Sequence, residues 1–180
     1  FFFSFVFGRL ASRTFVFVTT RCKHLLLCQS SHAAETNVGT ITDLKDLPRG
    51  LNGSVVTMGD FDGLHTGHRV LIDTTVAAAK QLNLPAILVT YEPSPKKILK
   101  KLAVDSRITT FDEKQGLLKQ TELDHAVFFP VTEKTLRISA RTFLREFLLG
   151  RLKMKCLIMG NDHHFGHNRR GNARYLKAAA

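Results

Sequence analysis

The chain has 180 residues, 44% of them apolar, which is enough to bury the core of one α/β domain but too little for two large ones. Its formal net charge of +11 favours anionic ligands, such as phosphorylated small molecules, nucleic acid or an anionic membrane, without choosing among them. The three cysteines are too few and too scattered for a disulfide framework or a paired zinc site, so we expect a cytoplasmic location.

We interpret residues 1–40 as a leader and exclude them from the prediction of the fold. The first 34 residues contain Arg and Lys but no Asp or Glu, as an organelle transit peptide does, although a misplaced translation start would give the same pattern. Organellar import follows only if the leader is genuine. Basic residues cut its apolar runs well short of the ~20 residues that a spanning helix needs, so we expect no membrane anchor.

From about Ile41 onward, short apolar strands alternate with amphipathic stretches, which predicts an α/β domain with a parallel sheet covered by helices. We predict strands over 54–59, 85–91, 125–130 and 155–160, and helices over 67–82, 110–120 and 139–149. A capping box at Thr110 and Glu113 should open the second helix. Ser139 should cap the third helix and Gly150 should end it.

The unusual residues of the chain follow the ends of three predicted strands, after Gly59, Tyr91 and Gly160. Pro93 and Pro95 should stop regular structure after the second of these strands. Ligands of open α/β sheets bind at the carboxyl ends of the strands. We therefore expect one functional site at this edge of the sheet.

The segment from Gly59 to His68 (GDFDGLHTGH) lies between the first strand and the first helix, where backbone N–H groups and the helix dipole create an anion site. His65 and His68 should project toward one pocket, and Gly67 lets the backbone approach a ligand closely. Two imidazoles can stabilise the charge that builds up when a phosphate attacks the α-phosphate of a nucleotide. The residues alone thus indicate a phosphate site, with a simple tight turn and capping histidines as the alternative.

The same segment closely resembles the GxFDGxHxGH signature of bacterial FAD synthetases, which are members of the HxGH nucleotidyltransferase superfamily; no Walker A or GxGxxG sequence occurs in the chain. The resemblance implies a Rossmann-like nucleotidyltransferase domain with helices on both faces of the sheet. Such a domain transfers AMP from ATP, with Mg²⁺, to FMN, and releases FAD and pyrophosphate. It implies His65 and His68 as catalytic residues. The residues that it assigns to ATP binding are Gly59, Asp60, Phe61, Gly63 and Gly67.

The segment from Thr90 to Pro95 (TYEPSP) resembles the family's T-F-x-P-H-P segment, which helps line the flavin and nucleotide pocket. The resemblance implies flavin contacts from Tyr91 and Pro93. Ser94 stands where His is usual, so we give it no catalytic role. The alternative is that the two prolines only terminate a strand.

Residues 160–172 (GNDHHFGHNRRGN) resemble the family's GxDFxFGxxxxGx loop, which is associated with flavin and ATP. The resemblance places Asp162, Phe165 and Gly166 near the flavin, and Asp162 can accept hydrogen bonds or help hold Mg²⁺. Arg169 and Arg170 can meet phosphates bidentately.

The histidines of this loop leave two further interpretations open. His163 stands where the family has Phe, and His163, His164 and His167 could together bind a metal ion or remain solvated. Their spacing matches no common zinc pattern, and the sequence does not indicate which residues would bind a metal.

Members of the family continue with another strand, an (I/V)-S-S-T-x-x-R segment that contacts the triphosphate, and usually a riboflavin kinase β-barrel. The chain ends at Ala180, so we expect a C-terminally truncated FMN adenylyltransferase domain over residues 41–180 that binds its ligands weakly. Two alternatives stay open. One is another adenylyl- or cytidylyltransferase of the superfamily, and the other is a non-catalytic module that binds nucleotides or nucleic acid. No basic run is interleaved with aromatic residues, which argues against nucleic acid as a partner. The resemblance implies ATP and FMN as the partners instead.

Overall fold

The computed structural model describes residues 5–10, 14–19, 38–99, 107–160 and 162–179. A seven-stranded sheet organises these residues, and five consecutive strands, up to one edge of the sheet, are parallel to one another. In chain order the strands are β1 (Phe5–Leu10), β2 (Thr14–Thr19), β3 (Gly39–Ile41), β4 (Ser54–Met58), β5 (Ala86–Glu92), β6 (His125–Pro130) and β7 (Met154–Gly160). Their order across the sheet is β1-β2-β7-β4-β5-β6-β3. The predicted α/β fold with a parallel sheet is confirmed.

The leader lies mainly outside the described residues, since positions 1–4, 11–13 and 20–37 are not described. Its two described segments, β1 and β2, pair antiparallel with each other, and β2 pairs antiparallel with β7. Strand β3 begins at Gly39, and the preceding Val38 is buried. Whether the leader is a transit peptide, and where the domain begins, stay predictions.

Helices cover both faces of the sheet because successive residues of a strand point to opposite sides. Val55 packs in one apolar cluster with residues of helices α1 (Thr66–Leu82) and α3 (Phe111–Lys119). Its neighbour Val56 packs in a second cluster with the π-helix Phe143–Arg151 and with α6 (Ala173–Ala179). The other helices are α2 (Pro95–Leu99), α4 (Glu133–Leu136) and α5 (Ala140–Thr142), with 3₁₀ turns at Leu44–Asp46, Asp62–Leu64 and His167–Arg169. In the described part of the chain, no helix is both long and apolar enough to cross a bilayer.

The predicted strands correspond to β4, β5, β6 and β7, with ends displaced by one residue at most. The predicted N-terminal caps of the second and third helices are confirmed. The Thr110 hydroxyl accepts from the backbone N–H of Glu113, whose carboxylate accepts from the N–H of Thr110, and Ser139 Oγ accepts from the N–H of Thr142. The edge strand β3 was not predicted, because its three residues are too few to show an alternating pattern.

Gly150 does not end the third helix, which corrects our prediction. The helix widens into a π-helix and continues to Arg151, and the residue with left-handed backbone angles is Lys153, at φ 50°. Leu152 follows the last turn and is fully buried, and its N–H donates to the carbonyl of Phe147 at 3.0 Å. Burial of Leu152 in the core thus favours a helix that continues past Gly150.

The register of the parallel strands brings the three sequence motifs to one edge of the sheet. Met58 of β4 lies opposite Val89 of β5, and Thr57 lies opposite Ile158 of β7. The residues that follow these strands therefore emerge side by side at their carboxyl ends. The prolines do end β5, as predicted, but α2 begins at once with Pro95 in its first turn, where a missing N–H costs nothing.

Candidate active site

The turn between β4 and α1 has an unusual backbone held in place by burial. Phe61 and Leu64 adopt left-handed angles, with φ 49° and 39°, although neither is glycine. Both side chains are buried in the cluster on the α1 face of the sheet. Such conformations cost about 1–3 kcal/mol each and are common where a backbone must be presented to a ligand. The two apolar anchors therefore fix a turn that the sequence would not adopt by local preference.

His65 and His68 lie together at the start of α1, as the spacing predicted. Their ring centroids are 4.8 Å apart, His65 is exposed at the N-cap, and the ring of His68 packs against Phe61 at 5.2 Å. Burial and the neighbouring His65 lower the pKa of His68, and its Nδ1 is buried without a hydrogen-bond partner. A neutral imidazole at this position can donate one hydrogen bond to an anion in front of the helix.

The other predicted ATP residues surround this pair. A Cβ placed on Gly67 would meet nothing within 4 Å, so the space in front of the first turn is open. Gly63 has φ 70°, and its N–H donates to the Thr109 hydroxyl at 3.3 Å, so this glycine shapes the turn. Gly59 lies at the end of β4, where a Cβ would come within 3.1 Å of the Phe61 ring. Their contacts with ATP stay predictions.

Asp62 ties the turn to the segment that precedes α3. Its carboxylate accepts from the N–H groups of Ile108 and Thr109 and from the Thr109 hydroxyl, at 2.8–3.1 Å. Burial alone would raise the pKa of Asp62, but these donors and the charge of Lys114 together hold it below the ordinary value. The end of β5 is held to the same segment, since Glu92 forms an ion pair with Arg107 through two hydrogen bonds.

Lys114 forms the floor of the site, and sequence reasoning missed it. Its side chain is fully buried, and its ammonium donates to the backbone carbonyl of Asp60 at 2.7 Å and to the Thr90 hydroxyl at 3.1 Å. One signal in the sequence could have found it. Lys114 lies three residues after Phe111 and four before Leu118, on the apolar face of α3, where a lysine needs a reason to be buried.

A cavity of about 700 Å³ opens at the same edge, on the sheet face opposite α1. Apolar side chains of α2 and of the chain from β6 to the π-helix contribute to its wall, and the loop after β7 closes one side. Four of the predicted residues line it, namely Tyr91, Phe165, Gly166 and Arg169. Pro93, Asp162 and Arg170 do not line it.

Tyr91 and His163 form a stacked pair beside this cavity. Their rings lie 6.2 Å apart and nearly parallel, with 3.4 Å between the Tyr91 hydroxyl and His163 Nε2. Burial, followed by the charges of His164 and Arg169, lowers the pKa of His163 to about 4. Burial and the charge of Asp60 raise the pKa of Tyr91 above its ordinary value. Both rings are therefore uncharged at neutral pH, as a surface for an aromatic ligand requires.

The family resemblance extends from the motifs to most of the chain. Residues 47–180 match the FAD synthetase family model. The chain belongs to the FAD synthetase family. A bifunctional riboflavin kinase/FMN adenylyltransferase of Buchnera aphidicola subsp. Acyrthosiphon pisum is 34% identical over 126 residues, which cover 70% of this chain and 40% of the relative. The enzyme with the same description from Escherichia coli (strain K12) is 30% identical over 139 residues, covering 77% and 44%.

This member of the FAD synthetase family spans less than half the length of these two relatives. A crystal structure described as a macrolide-efflux protein from Streptococcus pneumoniae shares the fold, with a TM-score of 0.68 and 26% identity. It matches 79% of this chain, which covers 48% of that protein. The match supports the Rossmann-like arrangement that the motifs implied.

The loop after β7 explains two family glycines by packing. Phe165 is buried, exchanges two backbone hydrogen bonds of 2.9 Å with Gly171, and packs its ring against Phe143. A Cβ on Gly171 would come within 2.5 Å of the Phe165 ring, and one on Gly166, at φ 71°, would come within 2.5 Å of the Ala140 backbone. Both glycines thus let the loop fold against itself and against α5.

The three loop histidines point to separate partners rather than to a common ion. His164 Nδ1 lies 2.7 Å from the carbonyl of Asp162, His167 Nδ1 lies 3.1 Å from the carbonyl of Leu136, and His163 faces Tyr91. Within the described ranges, no group of three or more His, Cys, Asp or Glu side chains is arranged to hold a metal ion. The carboxylate of Asp162 is exposed, and its role near Mg²⁺ or flavin stays a prediction.

Proposed function

We propose that this chain carries the FMN adenylyltransferase step of its family, in which AMP passes from Mg–ATP to FMN and yields FAD and pyrophosphate. The observation that carries the proposal is the pair His65 and His68 at the start of α1, above a fixed strand-to-helix turn. The curated relatives bear the same activity in their descriptions. A cytoplasmic location is part of the proposal and is supported only by the low number of cysteines.

The nucleotide is proposed to bind at the β4–α1 turn. The 17-residue helix α1 directs its dipole and its unpaired N–H groups toward the turn, which favours phosphate. The open space at Gly67 allows the phosphates to approach the backbone. His65 and His68 then donate hydrogen bonds to phosphate oxygens, and Mg²⁺ arrives with the triphosphate as part of the substrate.

FMN is proposed to place its ring system in the 700 Å³ cavity, whose size lies within the range of small-molecule pockets. Phe129, Phe143 and Ile138 supply an apolar wall, and Tyr91 supplies an aromatic surface. Arg169 lines the same cavity and is exposed, with Nη2 3.3 Å from His164 Nδ1. A cation in this position can meet the FMN phosphate.

The reaction needs positioning and charge stabilisation rather than a covalent intermediate. An FMN phosphate oxygen attacks the α-phosphorus of ATP, a new phosphorus–oxygen bond forms, and the bond to the β-phosphate breaks as pyrophosphate leaves. Negative charge on the α-phosphate oxygens grows in the transition state, and preformed hydrogen-bond donors stabilise it without reorganisation. His65 and His68 are the side chains that we assign to this task.

Transfer of label from [α-³²P]ATP tests both the donor and the acceptor. The chain would be incubated with Mg²⁺ and FMN, riboflavin or a panel of phosphorylated acceptors, and CTP would replace ATP in a parallel series. The proposal predicts labelled FAD from ATP and FMN, and none from riboflavin, which lacks the attacking phosphate. Label in a different acceptor, with none in FAD, would show that the acceptor is wrong and favour another nucleotidyltransferase of the superfamily.

A further inference from the structure

Lys114 is a buried cation to which the proposed mechanism assigns no role. It lies in the middle of α3 with its side chain fully buried. No carboxylate in the described part of the chain lies within 4.0 Å of its ammonium. Burying an ammonium without an ion-pair partner is costly, and burial lowers the pKa of Lys114. The ammonium of Lys114 therefore depends on its hydrogen bonds to offset the cost of burial.

The ammonium of Lys114 and the hydroxyl of Thr90 donate to the same acceptor, the backbone carbonyl of Asp60. The two distances are 2.7 Å and 2.8 Å, and the ammonium also donates to Thr90 Oγ1 at 3.1 Å. Two donors on one carbonyl hold that peptide in a single orientation. The ends of β4 and β5 and the middle of α3 are thereby joined at one point beneath the turn.

The fixed carbonyl also holds the backbone of the next residue. The Asp60–Phe61 peptide is trans and planar, so fixing its carbonyl fixes the whole peptide plane. Phe61 is fully buried and has left-handed angles, which require that peptide to be held. The peptide plane thereby sets the course of the turn that leads to His65 and His68.

The charge of Lys114 also reaches His68. Burial is the largest cause of the lowered pKa of His68; among its charged or titratable neighbours, His65 and Lys114 lower this pKa further, whereas Asp60 and Asp62 raise it. Lys114 is thus close enough to add positive charge beneath the site where phosphate is proposed to bind.

We propose that Lys114 is a positioning residue for the phosphate site: it locks the Asp60–Phe61 peptide, and with it the turn that presents His65 and His68, and it supplies buried positive charge beneath that turn. That the phosphate at this site belongs to ATP rests on the proposed function.

The test compares Lys114→Met with Lys119→Met, which makes the same chemical change at an exposed position of the same helix. Mg–ATP affinity is measured by calorimetry, His68 is titrated by NMR, and the thermal midpoint is recorded for each protein. We expect Lys114→Met to remain folded, to bind ATP at least ten-fold more weakly and to raise the pKa of His68. Lys119→Met should match the wild-type chain in all three measurements.

Thr90→Val supplies a second variant, because it removes one donor from the Asp60 carbonyl and keeps the ammonium. We expect a several-fold loss of ATP affinity with little change in the titration of His68. If Lys114→Met does not fold, Thr90→Val decides, and wild-type ATP affinity in Thr90→Val would overturn the inference.

Unchanged ATP affinity or an unchanged His68 titration in folded Lys114→Met would overturn the inference, as would an equal loss in Lys119→Met. Failure of the proposed function is distinguishable from these results. A wild-type chain that binds ATP but forms no FAD removes FMN as acceptor and leaves the Lys114 comparison intact. A wild-type chain that binds no ATP would contradict both.

Discussion

At the scale of single residues, burial controls the charge of the imidazoles at the candidate site. His68 and His163 both have lowered pKa values, and burial is the largest cause for each. The two rings differ in their surroundings, since His68 faces the open space before α1 whereas His163 stacks on Tyr91. A buried neutral ring at 163 suits a stacking surface, but it makes the native state sensitive to acid.

The acid sensitivity of His163 can be measured. Its pKa of about 4 in the folded chain lies below the ordinary value of 6.5, so the unfolded chain binds the proton more readily. Stability should therefore fall as the pH decreases from about 6.5 to 4. Replacing the ring by an uncharged one, in His163→Phe, should remove roughly 2 kcal/mol of that fall. Urea unfolding at pH 7 and pH 4.5 measures the difference, and equal pH dependence in both proteins would contradict the assignment.

Two glycines of the motifs should respond in opposite ways to alanine. Gly166→Ala places a Cβ 2.5 Å from the Ala140 backbone at φ 71°, so we expect a loss of at least 2 kcal/mol in unfolding free energy. Gly67 lies in the first turn of α1 with open space around it, so Gly67→Ala should retain or increase stability, by up to about 1 kcal/mol.

The effect of Gly67→Ala on ATP binding should be unfavourable, because a Cβ would enter the space that we propose for phosphate. We expect its Mg–ATP affinity to fall several-fold while its stability is preserved. Calorimetry with ATP and chemical unfolding of the same samples provide both values. Full ATP affinity in Gly67→Ala would show that the phosphates do not approach this face of the turn.

At the scale of elements, Asp62 couples the β4–α1 turn to the segment before α3. Asp62→Asn keeps one acceptor oxygen and loses the charge, so we expect it to cost about 1–2 kcal/mol of unfolding free energy. The pKa of Asp62 is lowered in the folded chain, so its contribution is present at neutral pH and is lost as the pH falls through the folded pKa. Asp112→Asn, at an exposed position in the first turn of α3, serves as the matched control. Equal stabilities of the two variants at pH 7 would contradict the coupling.

Elements with strong local signals were predictable from the sequence. The continuous apolar runs of β4 to β7, the capping box of α3 and the Ser139 cap are local, and all were found. The short strand β3 and the extension of the π-helix past Gly150 depend on burial of Val38 and Leu152 in the tertiary core. No local pattern reports such burial.

The residues of the candidate site also divide into those that local sequence predicts and those that only tertiary packing reveals. The pair His65 and His68 is close in sequence, so its spacing and a family signature were enough to predict it. Lys114 is 54 residues from Asp60, and only the packing of α3 against the ends of β4 and β5 reveals their contact. Phe165 and Gly166 were predicted as flavin residues, and the structure gives each a packing role as well as a place in the cavity wall.

At the scale of the whole molecule, the sheet separates the two proposed ligand regions. The histidine pair belongs to the α1 face, whereas the 700 Å³ cavity lies on the face of the π-helix, and both open at the carboxyl edge. Two substrates bound from the two faces would meet at that edge, as the proposed transfer between ATP and FMN requires.

The net charge of +11 is a property of the whole molecule. The salt dependence of binding distinguishes nucleic-acid binding through this charge from ATP binding at a formed site. Binding of single-stranded DNA through charge alone should weaken steeply between about 50 and 200 mM salt. We expect saturable Mg–ATP binding to persist over this range, because it rests on a formed site. Fluorescence anisotropy with labelled DNA and calorimetry with ATP measure the two. Tight DNA binding at about 200 mM salt, without ATP binding, would favour the nucleic-acid module instead.

The most direct measurement is the rate of FAD formation from FMN and Mg–ATP, followed by chromatography, for the wild-type chain, His65→Ala and His68→Ala. A version continued past Ala180 with the corresponding segment of a relative would be assayed in parallel, and His125→Ala, at the amino end of β6, provides the histidine control. We predict FAD formation by the wild-type protein and at least a ~100-fold lower kcat in the first two variants, with His125→Ala close to wild type. FAD formation at the wild-type rate by both His65→Ala and His68→Ala would contradict the account.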